Sequence, residues 1–359
     1  MEIQGQMSIH QILFFVLYGI TAVVPFLAAL YLLLRRSNAI APSIRPPVRL
    51  RRWAAAFFLF STLSHVWWLP FYIYASDQHS VCYVLLVILD SVLLLTTIAG
   101  TMLSMLQDRR RPVWPVLVGL IPFVALGVAI IVYPDEMLEQ IAVLYILLFC
   151  TLFTGYMVFA ITRYGRWLND NYADLENKKV WLSQVVAFLC MLLLALYFLS
   201  TNMVLICWLH IIDIVLVCIL LWRVETLQRL PSQAQQPATQ PTSIDLDQIE
   251  QLLVEHCVNT QLYLQHDLTL AQLALSVGTN RSYLSQYFSR QGYTYNTYIN
   301  SQRVNHFIRC YEAAVAAGQP IVAQQLAQES GFRSYSTFGR AFAQRTGQTV
   351  TEWMSEREG

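Results

Sequence analysis

The stretch QLAQESGFRSYSTFGRAFAQRTG, from Gln325 to Gly347, repeats the outline of TLAQLALSVGTNRSYLSQYFSRQG, from Thr269 to Gly292. In the earlier copy Thr269 and Gln272 have capping-box spacing, in which a hydroxyl and an amide side chain satisfy the free backbone donors of a helix start. Leu270, Leu273, Ala274 and Val277 then form an apolar stripe at helical spacing, and Gly278 stands where a left-handed residue would stop the helix. Asn280 is placed to cap a second helix that buries Leu284, Tyr287 and Phe288. Helix, glycine turn, helix is the outline of a helix-turn-helix.

The second copy carries the same marks. Leu326, Ala327, Gly331, Phe338, Phe342, Gly347 and Trp353 echo Leu273, Ala274, Gly278, Leu284, Phe288, Gly292 and Tyr298, at an offset that grows from 53 to 55 residues. A helix-like stretch from Tyr295 to Ala317 joins the copies, and Asp245 to Cys257 places Leu246, Ile249, Leu252 and Leu253 on one helical face ahead of them. The tail from Ile244 to Gly359 is therefore expected to be one all-α domain with two helix-turn-helix units.

From Leu262 to Ser355 the residues resemble the paired DNA-binding units of AraC-type transcription regulators, most specifically through GF, SxSTF, RxF and TG of the second copy. The resemblance implies two recognition helices that enter successive major grooves on one face of double-stranded DNA. Carried over by position, Asn280, Arg281, Ser282, Ser285 and Gln286 face DNA from the first recognition helix, and Ser334, Tyr335, Ser336, Gly339 and Arg340 from the second. Glutamine matches adenine and arginine matches guanine or phosphate. Arg303 matches a family arginine expected to be structural, paired with a carboxylate of the second copy. Phe332, Phe338 and Phe342 are expected in the core. Arg333, where a small residue is usual, and Val350, where proline is usual, depart from the pattern. The tail has eight arginines and no lysine against ten carboxylates. Binding without sequence preference is therefore expected to be weak and strongly salt-sensitive, because it depends on phosphate neutralisation.

Ahead of the tail, Pro231 to Ser243 reads PSQAQQPATQPTS, a linker by composition. As a flexible coil it would reach about 20 Å. Everything before it is apolar. The whole chain of 359 residues is 56% hydrophobic and 13% charged, where a soluble domain carries about 25% charged residues, so an ordinary soluble enzyme is excluded. Seven stretches meet the length of about 20 residues that crosses a bilayer: Ile12 to Leu34, Trp53 to Ala75, Cys82 to Leu106, Val113 to Tyr133, Ile141 to Thr162, Trp181 to Ser200 and Met203 to Trp222. The first lacks preceding basic residues and is too long for a signal core, so it is expected to stay as a span.

Lysine and arginine fix the orientation. Arg35, Arg36, Arg45, Arg49, Arg51 and Arg52 follow the first span, Arg109 to Arg111 the third, Arg163, Arg166, Lys178 and Lys179 the fifth, and Arg223 and Arg229 the seventh. The N-terminal segment and the turns at Ser76 to Val81, Pro134 to Gln140 and Ser200 to Asn202 hold none, but carry Glu2, Asp77, Asp135, Glu136 and Glu139. A seven-helix transmembrane bundle in the cell inner membrane of a bacterium, N-terminus outside and tail cytoplasmic, puts every basic loop on one side. Merging the sixth and seventh spans would invert this.

The outer turns are too short for a sensor domain, so a signal must enter through the bundle. Ionisable residues inside spans are the candidates: His65, Asp90, His210 and Asp213, expected at similar depth and able to line a site for a small-molecule effector or protons. Interhelical packing bonds are the structural alternative. Seven scattered cysteines show no metal spacing and no disulfide framework. No catalytic motif, cofactor site or metal site is expected.

The expected organisation is a sensor bundle over residues 1–229, a linker over 230–243 and a DNA-binding domain over 244–359. The expected function is a membrane-anchored, sequence-specific transcription regulator with DNA, the lipid bilayer, a homodimer partner and a small-molecule effector as its partners. The rival is a membrane receptor or transporter whose tail binds a protein.

Overall fold

The computed structural model describes residues 9–35, 37–74, 81–199, 203–230 and 246–358. Glu2, Arg36, Asp77, Asp245, the Ser200 to Asn202 turn and the Pro231 to Ser243 linker lie outside the described residues. The fold is all-α, with fourteen α-helices and no strand among the described residues. The chain forms two compact units, Met1–Tyr164 with Asn177–Leu230, and Gly165–Glu176 with Pro231–Gly359.

The first unit is built from α1 (Ile9–Leu34), α2 (Val48–Tyr74), α3 (Val81–Met105), α4 (Trp114–Val132), most of α5 (Glu136–Asn171), α6 (Trp181–Leu199) and α7 (Met203–Thr226). Six of these seven helices contain stretches long and apolar enough to cross a membrane: Gln11–Leu34, Val48–Phe71, Val81–Met105, Trp114–Val132, Glu136–Asn171 and Val204–Thr226. Among the described residues six such stretches thus stand against the expected seven. The sixth helix is apolar too and 19 residues long, about 28 Å at 1.5 Å per residue.

Large aliphatic side chains such as Ile12, Val16, Val23 and Leu27 of α1 and Leu144, Leu148 and Leu152 of α5 are exposed, the pattern of helices whose outer faces meet lipid. Close packing inside depends on small residues. A Cβ on Gly100 of α3 would run into the Trp53 ring of α2, and one on Gly127 of α4 into Ile88 of α3.

The segment after α7 is fastened at one end of this unit. The Gln228 amide donates to the Asn177 carbonyl at 2.8 Å and the Arg229 amide to the Arg45 carbonyl at 2.8 Å. The Leu230 amide donates to Gln107 Oε1 at 2.9 Å, and Gln107 Nε2 donates back to the Gln228 carbonyl at 2.9 Å. The loops after α1, α3 and α5 therefore share an end with the C-terminus of α7. Next to them Arg35 pairs with the buried Glu225 of α7, whose carboxylate also accepts from Tyr31 and whose carbonyl accepts from Asn38.

The second unit holds α8 (Leu246–Leu253), a π-helical turn (Val254–Val258), a 3-10 turn (Leu262–Leu264), α9 (Leu270–Ser276), α10 (Arg281–Arg290), α11 (Tyr295–Ala316), α12 (Ala323–Glu329), α13 (Tyr335–Thr346) and α14 (Val350–Glu358). The capping box at Thr269 forms with both of its bonds. Two cores are present. Ile249, Leu253, Tyr263, Leu273, Leu284 and Phe288 meet Ile299 of α11 in the first. In the second, Phe332, Phe338, Phe342 and Trp353 meet Val304, Phe307 and Tyr311 of the same helix. One long helix thus serves as the wall of both cores.

Candidate nucleic-acid interface

The two helix-turn-helix pairs are α9 with α10 and α12 with α13. Gly278 and Gly331, both at positive φ (75° and 90°), make the turns between the helices of each pair. A Cβ on Gly331 would lie 2.9 Å from the Leu264 backbone, so this second turn is also a point of close approach.

On α10, Asn280 is the N-cap: its Oδ1 accepts from the Tyr283 amide at 2.9 Å. Arg281 is the first helical residue and half-buried, Ser285 is half-buried, and Ser282 and Gln286 are exposed. Burial pushes the Arg281 guanidinium below its ordinary value, and Tyr172 and Asp170 beside it act in the other direction. Leu284, Tyr287 and Phe288 are buried as the spacing predicts.

On α13, Ser334 is the N-cap, with its Oγ bonded to Thr337 Oγ1 at 3.0 Å and near the Thr337 amide. Tyr335, Ser336 and Arg340 are exposed, and Arg340 Nε donates to the Ser336 carbonyl one turn back at 3.3 Å. Gly339 is half-buried, yet nothing lies within 4 Å of a Cβ built on it, so this side of the helix is open and flat. The residues expected to face DNA thus divide into two N-caps, which aim their helices, and outward side chains on two successive faces.

Arg303 is structural, although its partners differ from those expected. It is 1% exposed; its Nε donates to the Tyr263 carbonyl and its Nη2 to the Gln265 carbonyl, both at 2.7 Å, and its guanidinium lies over the Phe332 ring. Carbonyls at the 3-10 turn take the place of the expected carboxylate, because that turn leaves its last C=O groups without helical partners. Burial lowers this guanidinium to about 10. Arg333, the departure from the family pattern, bonds Asp267 at 2.9 Å.

Sequence reasoning missed the segment Gly165–Glu176. Tyr172 forms an antiparallel bridge with Thr269. Asn296 Nδ2 of α11 donates to the Tyr172 and Ala173 carbonyls at 3.0 and 2.6 Å, and Asn300 Nδ2 reaches the Ala173 carbonyl at 3.2 Å. The signal for it is the length of α5. At 36 residues this helix extends about 54 Å, well beyond its apolar run.

Within the first unit the polar residues of the spans form two groups. Asp90 accepts from Ser64 at 2.7 Å, from Trp67 Nε1 at 3.0 Å and from Trp68 Nε1, all on α2. His65 instead faces His210 of α7, ring centroids 6.1 Å apart. Tyr18 of α1 lies 5.0 Å from the His65 ring, and Thr21 Oγ1 is 3.2 Å from His210 Nδ1. Asp213 is half-buried one turn beyond His210. Tyr18 and Thr21 were absent from the sequence-based set because neutral hydroxyls carry no mark of function in an apolar span.

No curated protein and no solved structure matches the chain. Residues 273–356 match the model of the HTH_18 helix-turn-helix domain family. The C-terminal domain is therefore an AraC-type helix-turn-helix domain, of a family of DNA-binding transcription regulators.

Proposed function

We propose that the chain is a membrane-anchored, sequence-specific transcription regulator. The observation that carries this reading is the tandem helix-turn-helix match over residues 273–356 in a chain with six helices apolar enough to span a bilayer. Arg281, Ser282, Ser285 and Gln286 read one major groove; Tyr335, Ser336 and Arg340 read the next, with Gly339 allowing close approach. Asn280 and Ser334 act by setting where each recognition helix starts, and the helix N-termini they cap favour phosphate.

The bundle lies in the cell inner membrane with the tail in the cytoplasm. Support comes from the basic loops after α1, α3 and α5, which share one end of the bundle with the exit of α7. The bundle senses a small molecule or protons through His65, Asp90, His210 and Asp213, as the facing histidines and the Asp90 cage support, and tail pairing into a homodimer places two domains on one operator.

Chromatin immunoprecipitation of the intact protein from its own cells tests the reading, with an Arg340→Ala, Gln286→Ala chain beside it. Discrete bound sites should be lost in that variant, since each base contact contributes about 1–3 kcal/mol. A correctly inserted protein with no enriched sites under several growth conditions would replace this reading with a receptor whose tail binds a protein, a role that the tail's excess of carboxylates would suit.

A further inference from the structure

After Thr162, the apolar run of α5 gives way to RYGRWLNDNYADLE, Arg163 to Glu176. A bilayer core of about 30 Å uses only about 20 residues of this helix, and its last turns, with the residues that follow, belong to the compact unit of the helix-turn-helix domain. There they are buried: Ala173 is 0% exposed and lies within the first core, and Asp174 is 4% exposed.

The attachment is specific. Backbone carbonyls of Tyr172 and Ala173 are held by Asn296 and Asn300, and Tyr172 pairs with the N-cap of α9. Two of the segment's three carboxylates, Asp170 and Asp174, act on arginines at the starts of the two recognition helices. The charge of Asp170 acts on Arg281, the half-buried first residue of α10. Asp174 Oδ2 lies 3.9 Å from Arg333 Nη1, one residue before the N-cap of α13. Arg333 also bonds Asp267, so it joins the segment to the entrance of α9.

We propose that Asp170–Asp174 is a docked latch, an internal ligand of the helix-turn-helix domain that withholds Arg281 from DNA phosphate and sets a second carboxylate beside Arg333. The inference rests on the DNA-binding reading and adds how that site is controlled. Both arginines belong to a domain with few positive charges, so setting a carboxylate against each lowers its affinity for the duplex backbone. The latch is covalently continuous with α5, so a signal that moves this helix moves the latch. Undocking exposes Arg281 and leaves Arg333 with Asp267 alone.

The test uses the full chain in lipid nanodiscs and a fluorescently labelled duplex of mixed sequence at fixed moderate salt. Asp170→Asn with Asp174→Asn preserves side-chain shape and should bind about fivefold tighter or more, with a steeper salt dependence. Glu255→Gln with Glu312→Gln removes the same formal charge at exposed positions and should change affinity by less than about twofold. If the latch variant behaves like this control, or binds more weakly, the segment is only structural and the proposal fails. Arg340→Ala in the unaltered background separates the two readings: a duplex gripped by the recognition face loses affinity there, whatever the latch does. If the unaltered chain and every variant ignore the duplex, the DNA-binding reading falls and the latch with it. Hydrogen exchange gives an independent check. Amides of residues 170–174 should be protected in the free chain and exchange faster once the duplex is added, and equal protection in both states overturns the latch.

Discussion

Gly278 and Gly331 hold the same place in the two helical pairs and both adopt positive φ, but their surroundings differ. A Cβ on Gly278 meets nothing within 4 Å, whereas one on Gly331 meets the Leu264 backbone and Arg303. Alanine at Gly278 should therefore cost only the left-handed backbone conformation, about 1 kcal/mol. At Gly331 the side chain must also displace backbone, and the cost should rise to about 3 kcal/mol. Hydrogen exchange of the α11 amides in the full chain checks the difference; equal losses would mean that the approach to Leu264 is not close. Both glycines were legible as turns from spacing alone, yet the clash was not, since Leu264 is distant in sequence. Asn280 and Ser334 show a second limit on reading single residues. The side-chain oxygen that suits a polar contact with DNA is also the one that caps a helix, and in the folded domain both side chains serve as caps.

Among the elements, α11 was readable as a helix, and its double role follows from its length. Ile299 faces the first core while Val304, Phe307 and Tyr311 face the second, so one helix joins the two helix-turn-helix pairs. In the bundle, α2 and α3 pack at the Gly100 approach to Trp53. Alanine at Gly100 should push the indole aside and lower stability by about 1–3 kcal/mol, read as thermal unfolding in detergent. Trp53→Leu in the same chain should restore part of the loss, because contacting sites are not additive. No rescue would place the strain elsewhere. The end of α5 was the element read least well. It finds its partners in α11, more than a hundred residues further along the chain, where local periodicity carries no information.

For the whole molecule, alternation of basic and base-free loops was the most readable property, and the hydrogen bonds of Arg45, Gln107 and Asn177 to the segment after α7 give it a physical counterpart. Reporter fusions within the Arg45, Gln107 and Asn177 loops and after Leu230 should all report the cytoplasm, and a fusion at Asp135 the opposite side. A split among the first four would refute the topology. The same fastening limits how the tail could be set free. A protease needs several residues of backbone drawn out into its cleft, and the amides of Gln228, Arg229 and Leu230 are already engaged by three loops. A cut that frees the helix-turn-helix domain is expected beyond Leu230, so the fragment would leave without a residue of the seventh helix.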